Sequence, residues 1–322
     1  MTSLVTGAAG FIGFHAARAR LEAGEDVVGI DNLNAYYDPA LKQARLDELA
    51  RFSGFRFEKM DLADEAAVSG LVADVRPDRI LHLGAQAGVR YSLEAPFAYA
   101  RSNLLGHLSV LEAARNLGDH LEHLVYASSS SVYGERSQVP FRESDAAETP
   151  ASLYAATKRS DELMSAAYSD LYDIPATGLR FFTVYGPWGR PDMAYWLFAE
   201  AMLEGRPIKV FNNGQMERDF TYIDDIVAAV SRVLSHAPDR GRHRVYNIGG
   251  SSPVRLMDMI SALERELGVE AEKIMLPMQP GDVTRTYADT SRLEADYGFA
   301  PTVGIEAGLS SFAEWFKAWQ AR

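Results

Sequence analysis

The sequence predicts an α/β protein: a doubly wound parallel sheet in the first half of the chain, then a smaller, irregular C-terminal domain. Three observations predict this. Short β-rich runs alternate with helical patterns, as parallel βαβ units covered on both faces require. A glycine turn, "VTGAAGFIG", separates the first such run from the first helical pattern. Beyond Thr183 the alternation loosens into Gly/Pro punctuation at "YGPWGRPD", "EGRPI" and "NNGQ".

In chain order, strands are expected at 3–6, 26–30, 55–58, 79–83, 121–127 and 176–181, with helices at 11–23, 64–74, 98–117 and 154–172 between them. A later strand at 244–248 and helices at 224–235, 255–267 and 305–319 follow. The expected division is 1–180 and 181–322, with the strand at 244–248 returning to the first sheet. Neither an internal repeat nor a low-complexity linker interrupts the pattern.

The composition narrows the function classes. With 322 residues, 47% of them apolar and 11% aromatic, the chain can bury a sizeable core as a soluble globular protein. It has no cysteine, which excludes disulfides, thiolate metal sites and a cysteine nucleophile. A net charge of −12 argues against nucleic acid or an anionic membrane as a partner. No stretch reaches the roughly 18 apolar residues of a membrane span. The opening "MTSLVTGAAG" carries neither the basic nor the apolar region of a signal peptide, so a cytoplasmic location is expected.

The glycine turn sets Gly7, Gly10 and Gly13 between a strand and a helix. Glycines there let the backbone turn tightly and approach a pyrophosphate at the helix N-terminus, where free N–H groups and the dipole favour an anion. The spacing is GxxGxxG, and by itself it is also compatible with plain turn chemistry. Asp31 adds weight: it ends the second strand 18 residues after Gly13, where a carboxylate can accept hydrogen bonds from adenosine ribose hydroxyls. A carboxylate there repels a 2′-phosphate, favouring NAD over NADP. Asp61 and Leu62 close the third strand and could meet the adenine edge, or Asp61 could cap the next helix. The small residues of "LHLGAQAG" suit a backbone lying against the cofactor, and His82 within it reads as a packed core histidine.

"LYAATK" puts Tyr154 and Lys158 four residues apart on one helix face. Such a pair is common on helix surfaces, but beside a dinucleotide site it acquires a mechanism. A nearby ammonium and an oxidised nicotinamide each favour the phenolate, so the tyrosine can take a proton from a substrate hydroxyl while hydride leaves the same carbon. Ser129 lies 25 residues earlier, in "VYASSSSVYG", at the carboxyl end of an expected strand, where ligands meet open α/β sheets. A hydroxyl there can bond the same substrate oxygen. A hydrolase nucleophile is not supported, because the G-x-S-x-G elbow is missing. The seven histidines suggest no metal site: His120 and His123 flank a strand entry, where their side chains need not converge.

With TGxxGxxG, the serine and YxxxK in place, the chain resembles the extended short-chain dehydrogenase/reductase superfamily, in particular its NAD-dependent nucleotide-sugar epimerases. "DNLNAYYD", "AQAGVRYS", "SSSSVYG", "RFFTVYGPWGRPDMA", "NNGQMERDFTYIDD" and "PMQPGDV" look most similar to UDP-glucuronate 4-epimerases. Gly84, where alanine is expected, and the bulky Tyr195 and Trp196 depart from that pattern. The resemblance implies a Rossmann-type NAD-binding domain over 1–180, a UDP-sugar-binding domain over 181–322, and a homodimer built through the helices at 98–117 and 154–172. It implies that Gly7, Gly10, Phe11, Ile12, Gly13, Asp31, Asn32, Lys42, Asp61, Leu62, Leu83, Ala85, Gln86 and Asn103 face NAD, with Tyr154 and Lys158 beside it. Ser129, Tyr154 and Lys158 would form the catalytic set. Thr183 and Arg190, with Ser130 and Ser131, would surround a sugar carboxylate, Arg218 would reach the pyrophosphate, and Arg90 is a further phosphate candidate. Dehydratases of the superfamily usually carry an Asp-Glu pair where Ser130 and Ser131 stand. Neutral hydroxyls cannot expel water, but they can grip a carboxylate. The expected reaction is therefore 4-epimerisation of UDP-glucuronate to UDP-galacturonate. The rivals are a 4-epimerase for a neutral UDP-hexose, a UDP-glucuronate decarboxylase, and a non-catalytic NAD-binding sensor.

Overall fold

In the computed structural model, which describes residues 1–135, 138–279 and 283–322, seven parallel strands form one sheet. The first half runs β1 (Thr2–Thr6), α1 (Phe11–Glu22), β2 (Asp26–Asp31), α2 (Pro39–Leu49), β3 (Phe55–Lys59), α3 (Glu65–Val75) and β4 (Arg79–His82). Two short helices, α4 (Tyr91–Glu94) and α5 (Pro96–Tyr99), lead through a π-helical segment into α6 (Gly106–Leu117). β5 (His123–Ser129), α7 (Leu153–Tyr172) and β6 (Ala176–Phe181) follow. The rest comprises β7 (Thr183–Tyr185), α8 (Ala194–Leu203), β8 (Ile208–Val210), β9 (Glu217–Tyr222), α9 (Ile223–Ser235), β10 (His243–Ile248), β11 (Pro253–Arg255), α10 (Leu256–Leu267), β12 (Lys273–Met275), α11 (Ser291–Tyr297) and α12 (Ile305–Gln320).

The sheet order is β3-β2-β1-β4-β5-β6-β10. The strand order reverses between β1 and β4, so the crevice beyond their carboxyl ends is where this topology receives a ligand. Alternate residues of β1 feed opposite faces: Val5 joins the apolar layer with α1, α2 and α9, and Leu4 the layer with α3 and α6. The expected return of the late strand is observed, with β10 beside β6 in parallel register from His243↔Ala176 to Ile248↔Phe181. Beyond the main sheet, β11-β9-β7 and β12-β8 form two small sheets. The Trp196, Phe312 and Phe316 rings pack here in an apolar cluster continuous with that under α1.

Two of the expected elements differ in detail. The helix expected at 98–117 contains the π-helical segment Ala100–Leu105, whose wider turn carries Asn103 into the protein interior, where it bonds Gln86 and Thr157. β3 ends at Lys59, so Asp61 and Leu62 stand in the following turn; the cap of α3 is Asp64, which accepts from the Ala67 N–H at 3.1 Å. The sequence reading also passed over α2, although Asp38 and Pro39 are an N-cap and a first helical residue by type.

Burial gives the fold a pH dependence. His15 and His82 are pushed down to about 3 and His123 and His243 to about 4, in each case chiefly by desolvation, and His107 is lowered in the same way. Burial raises Asp161 and Asp219 to about 6, which acts oppositely. Other carboxyls shift both ways, Glu143 upwards and Glu162 downwards among them, so the histidines set the sign. The unfolded chain protonates these histidines below about 6.5 while the folded chain keeps them neutral, each costing about 1.4 kcal/mol per pH unit. Their contribution is full above that value and is lost as pH falls towards about 4. Urea unfolding at pH 7 and near pH 5 should show a lower midpoint in acid; an equal or higher midpoint would contradict this reading.

Candidate active site

The crevice at the β1/β4 switch holds a cavity of about 440 Å³. Its floor is the glycine turn. Gly7 has φ +70°, and a Cβ on Gly13 would lie 2.0 Å from the Gly7 carbonyl oxygen, so neither position accepts a larger residue. Gly10 precedes α1 without a side-chain cap, leaving the helix start open to an anion. Phe11, Ile12, Asp31, Asn32, Lys42, Asp61, Leu62, Leu83, Ala85 and Gln86 also line the cavity. Asp31 accepts from the Leu33 N–H at 2.8 Å, and Lys42 Nζ stands 3.7 Å from it. Asp61 accepts from the Ala63 N–H and is paired with Arg101 at 3.1 Å.

Asn103 lies behind this surface instead. It accepts from the Gln86 N–H at 2.8 Å and donates to the Gln86 carbonyl at 3.1 Å, so it braces the cavity wall without lining it. Gly84 has a packing reason: a Cβ there would meet Leu62 Cδ1 at 2.7 Å and Thr6 Oγ1 at 3.0 Å. His82 is buried and bonds Thr6 Oγ1 at 2.7 Å, a core role as expected. Together the glycine cradle, the open helix start and the carboxylate ending β2 fit a dinucleotide such as NAD.

The far end of the same cavity carries Ser129, Tyr154 and Lys158. Tyr154 and Lys158 sit one turn apart on α7, whose start is fixed by Ser152 accepting from the Ala155 N–H at 3.1 Å. Lys158 Nζ donates to the Ala127 carbonyl at 3.0 Å and to Asp161 at 3.1 Å, which ties the helix to the carboxyl end of β5. The four serines divide their work. Ser128 is buried and donates to Glu162 at 2.6 Å, and Glu162 is bridged by both Nε and Nη2 of Arg180 at 2.7 and 2.8 Å. Ser129 Oγ accepts from the Ser131 N–H at 3.2 Å and from the Ser131 hydroxyl at 3.0 Å. With both lone pairs engaged, the Ser129 proton is directed to other acceptors. Ser130 and Ser131 begin the 3₁₀ turn that follows and line the same space.

Thr183, Arg190 and Arg218 line the junction with a second cavity of about 830 Å³, which Arg90 also lines. Arg90 lies over the Phe211 ring, 5.2 Å from its centre. One edge of Arg190 is already engaged: its Nε and Nη2 donate to Asp192 at 3.0 and 2.6 Å. Burial disfavours both charges, yet the pairing outweighs it, holding Arg190 above and Asp192 below their usual ranges. Tyr195 and Trp196 are buried against Phe312. Pro280, Gly281 and Asp282 of "PMQPGDV" lie outside the described residues.

Asp192, Tyr36, Asp161 and the Glu162–Arg180 pair were not singled out from sequence. Tyr36 and Asp192 did lie inside two of the quoted blocks, and Asp161 is three residues from Lys158, the spacing of a same-face partner. Among the described residues no helix is long and apolar enough to cross a membrane.

Comparison with known proteins agrees with this geometry. A probable UDP-glucuronate 4-epimerase of Rhizobium meliloti is 47% identical over 98% of this chain and 97% of its own. The crystal structure of UDP-glucuronic acid 4-epimerase from Bacillus cereus in complex with UDP-glucuronic acid and NAD is similar with a TM-score of 0.92 and 37% identity, covering 99% of this chain and 100% of that one. The crystal structure of UDP-glucose 4-epimerase with UDP-glucose from Thermotoga maritima is similar with a TM-score of 0.90 and 29% identity, over 99% of this chain and 100% of that one. The model of the NAD dependent epimerase/dehydratase family matches residues 3–249, and the chain belongs to that family.

Proposed function

We propose that this protein uses bound NAD to interconvert UDP-glucuronate and UDP-galacturonate by epimerisation at C4, with Tyr154 as general base. The observation that carries the reading is one continuous cavity, running from the glycine cradle and Asp31 to Ser129, Tyr154, Lys158 and Thr183. The likeness to the Bacillus cereus and Rhizobium meliloti proteins supports the uronate. Residues 1–180 would carry the cofactor and 181–322 the UDP-sugar, with the nucleotide in the second cavity beside Arg218 and Arg90.

NAD, when bound, supplies a reversible hydride acceptor for the sugar carbon. Tyr154 takes the proton of the C4 hydroxyl and Ser129 donates to the same oxygen. Lys158, fixed by Ala127 and Asp161, keeps positive charge beside the phenol. The 4-keto sugar then turns over and is reduced on its other face, with no net redox. That sugar is a β-keto acid, which loses CO₂ readily when the C5–C6 bond aligns with the carbonyl π system. Ser130, Ser131, Thr183 and Arg190 would restrain the carboxylate against that alignment, each donor constraining a different direction.

Incubating the purified protein with several UDP-sugars tests the reading. UDP-galacturonate should form from UDP-glucuronate faster than UDP-galactose forms from UDP-glucose. The opposite preference would favour the neutral-hexose activity suggested by the Thermotoga maritima likeness. For the cofactor, Asp31→Ala should narrow a preference for NAD over NADP by about tenfold, the scale of one lost charge interaction. Calorimetric titration showing equal affinities in the unmutated protein would refute the role of Asp31. We further propose a cytoplasmic location and, because Phe97, Leu163 and Leu171 are exposed on α5 and α7, a homodimer. Sedimentation velocity showing a monomer would refute it.

A further inference from the structure

Arg190 is the charged group best placed to recognise a sugar acid, yet an internal carboxylate already occupies one edge of its guanidinium. Asp192 takes Nε at 3.0 Å and Nη2 at 2.6 Å, a bidentate pair. The same carboxylate has a third donor, the Tyr36 hydroxyl, at 3.0 Å from Oδ2. Tyr36 comes from the other end of the site: it lies on the segment between β2 and α2 that follows Asp31.

That segment is built as a run of side-chain-to-backbone turns. Asp31 accepts from the Leu33 N–H, Asn32 from the Asn34 N–H and Asn34 from the Tyr36 N–H, at 2.8, 3.1 and 3.4 Å. Lys42 Nζ donates to Asn34 at 3.0 Å, and the Asn34 amide donates to Gln86 at 3.3 Å. The Tyr36 ring is held from the side by Tyr91, with 4.7 Å between centroids. Against its hydroxyl end lies Gly88, φ +101°, where a Cβ would stand 2.7 Å from the Tyr36 oxygen. Little of this arm can move without disturbing the wall that carries Asp31.

We propose that Tyr36 and Asp192 are a positioning pair that fixes the plane of Arg190, so that its remaining edge meets the sugar carboxylate in one direction, and that this ties uronate selection to the cofactor-binding segment. The inference rests on the uronate reading of the site and deepens it. The Arg190–Asp192 pair carries no net charge. Selection of an acidic over a neutral sugar therefore depends on the direction of the donors, with the serine and threonine hydroxyls, more than on excess positive charge. A guanidinium released from Asp192 keeps its charge and loses its direction. It would still attract the carboxylate, but it would no longer hold the C5–C6 bond away from the alignment that releases CO₂.

This separates the pair from two simpler roles. If Arg190 acts only as a charge, Asp192→Asn adds one positive charge to the site, so UDP-glucuronate should bind more tightly and yield no more CO₂. If Asp192 and Tyr36 serve only packing, their loss should lower stability and total turnover together, with the product ratio unchanged. The test uses the NAD-loaded protein with UDP-glucuronate, comparing wild type, Asp192→Asn and Tyr36→Phe. The products measured are UDP-galacturonate and, from the branch in which the hydride is not returned, UDP-4-keto-pentose and CO₂ with one NADH left on the protein for each. The ratio of CO₂ to UDP-galacturonate should rise about tenfold in Asp192→Asn and about threefold in Tyr36→Phe, the scale of one charged and one neutral hydrogen bond. An unchanged ratio in both variants overturns the proposal. A second arm needs no turnover: the ratio of dissociation constants for UDP-glucose and UDP-glucuronate, titrated on the same holoproteins. Discrimination should fall about threefold or more in Tyr36→Phe, on the same hydrogen-bond scale, and unchanged discrimination overturns the positioning role. A wild type that makes no UDP-galacturonate defeats the activity reading alone, and the affinity arm then decides the positioning pair by itself.

Discussion

Tyr154→Phe is expected to keep the fold and bind NAD while turnover of UDP-glucuronate falls by roughly 10²-fold or more, the scale of a lost general base. The substitution is clean in this structure. The Tyr154 ring meets Tyr99 edge-on with 6.1 Å between centroids, a contact that phenylalanine preserves. Lys158 is held by Ala127 and Asp161, not by the phenol, so its position does not depend on the missing oxygen. Only the proton acceptor is removed. Steady-state rates with matched cofactor content measure the effect, and near-normal turnover would take Tyr154 out of the chemistry.

Arg180→Met should lower stability by about 3 kcal/mol, the low end of the cost of breaking a buried ion pair, because Glu162 then keeps only the partly exposed Arg159 as a charged partner, at 2.8 Å. Arg180 and Glu162 are both almost fully enclosed, joined by two hydrogen bonds, and Arg180 also lies 4.7 Å from the centre of the Tyr133 ring. Glu162 holds Ser128, and the Tyr133 hydroxyl donates to Asn247 at 2.6 Å, so the pair clamps the serine turn from both ends. Replacing both partners, Arg180→Met with Glu162→Met, should recover part of the loss, because the buried charges are then gone and Arg159, one-third exposed, can turn to water. Urea unfolding decides it: a loss below about 1 kcal/mol for the single variant would mean the pair is not the clamp described here.

Much of this site was legible because its parts are local. The glycine turn, the carboxylate ending β2 and the Tyr154/Lys158 spacing each lie within one strand–turn–helix unit, and the alternation of elements placed those units on one sheet edge. The late strand β10 could also be read, since its short β-rich run differs from its surroundings. What escaped depends on distant partners. The pairing of Arg190 is one such feature: nothing in "GRPD" shows that Asp192 folds back onto it, or that Tyr36 arrives from a segment over 150 residues away in sequence. Asn103 looked like a cofactor contact, but the π-helical turn that carries it inward is a register shift that helical periodicity does not reveal. Asp61 resembled a cap by type, and Asp64, three residues later, holds that place in the fold.

The most direct test of the central claim follows the hydrogen at C4. UDP-glucuronate deuterated at that carbon, incubated with the NAD-loaded protein in ordinary water, should yield UDP-galacturonate that keeps its deuterium, because the hydrogen removed from C4 is the one returned to its other face. Deuterium lost to solvent, or failure of UDP-galacturonate to form, would contradict it.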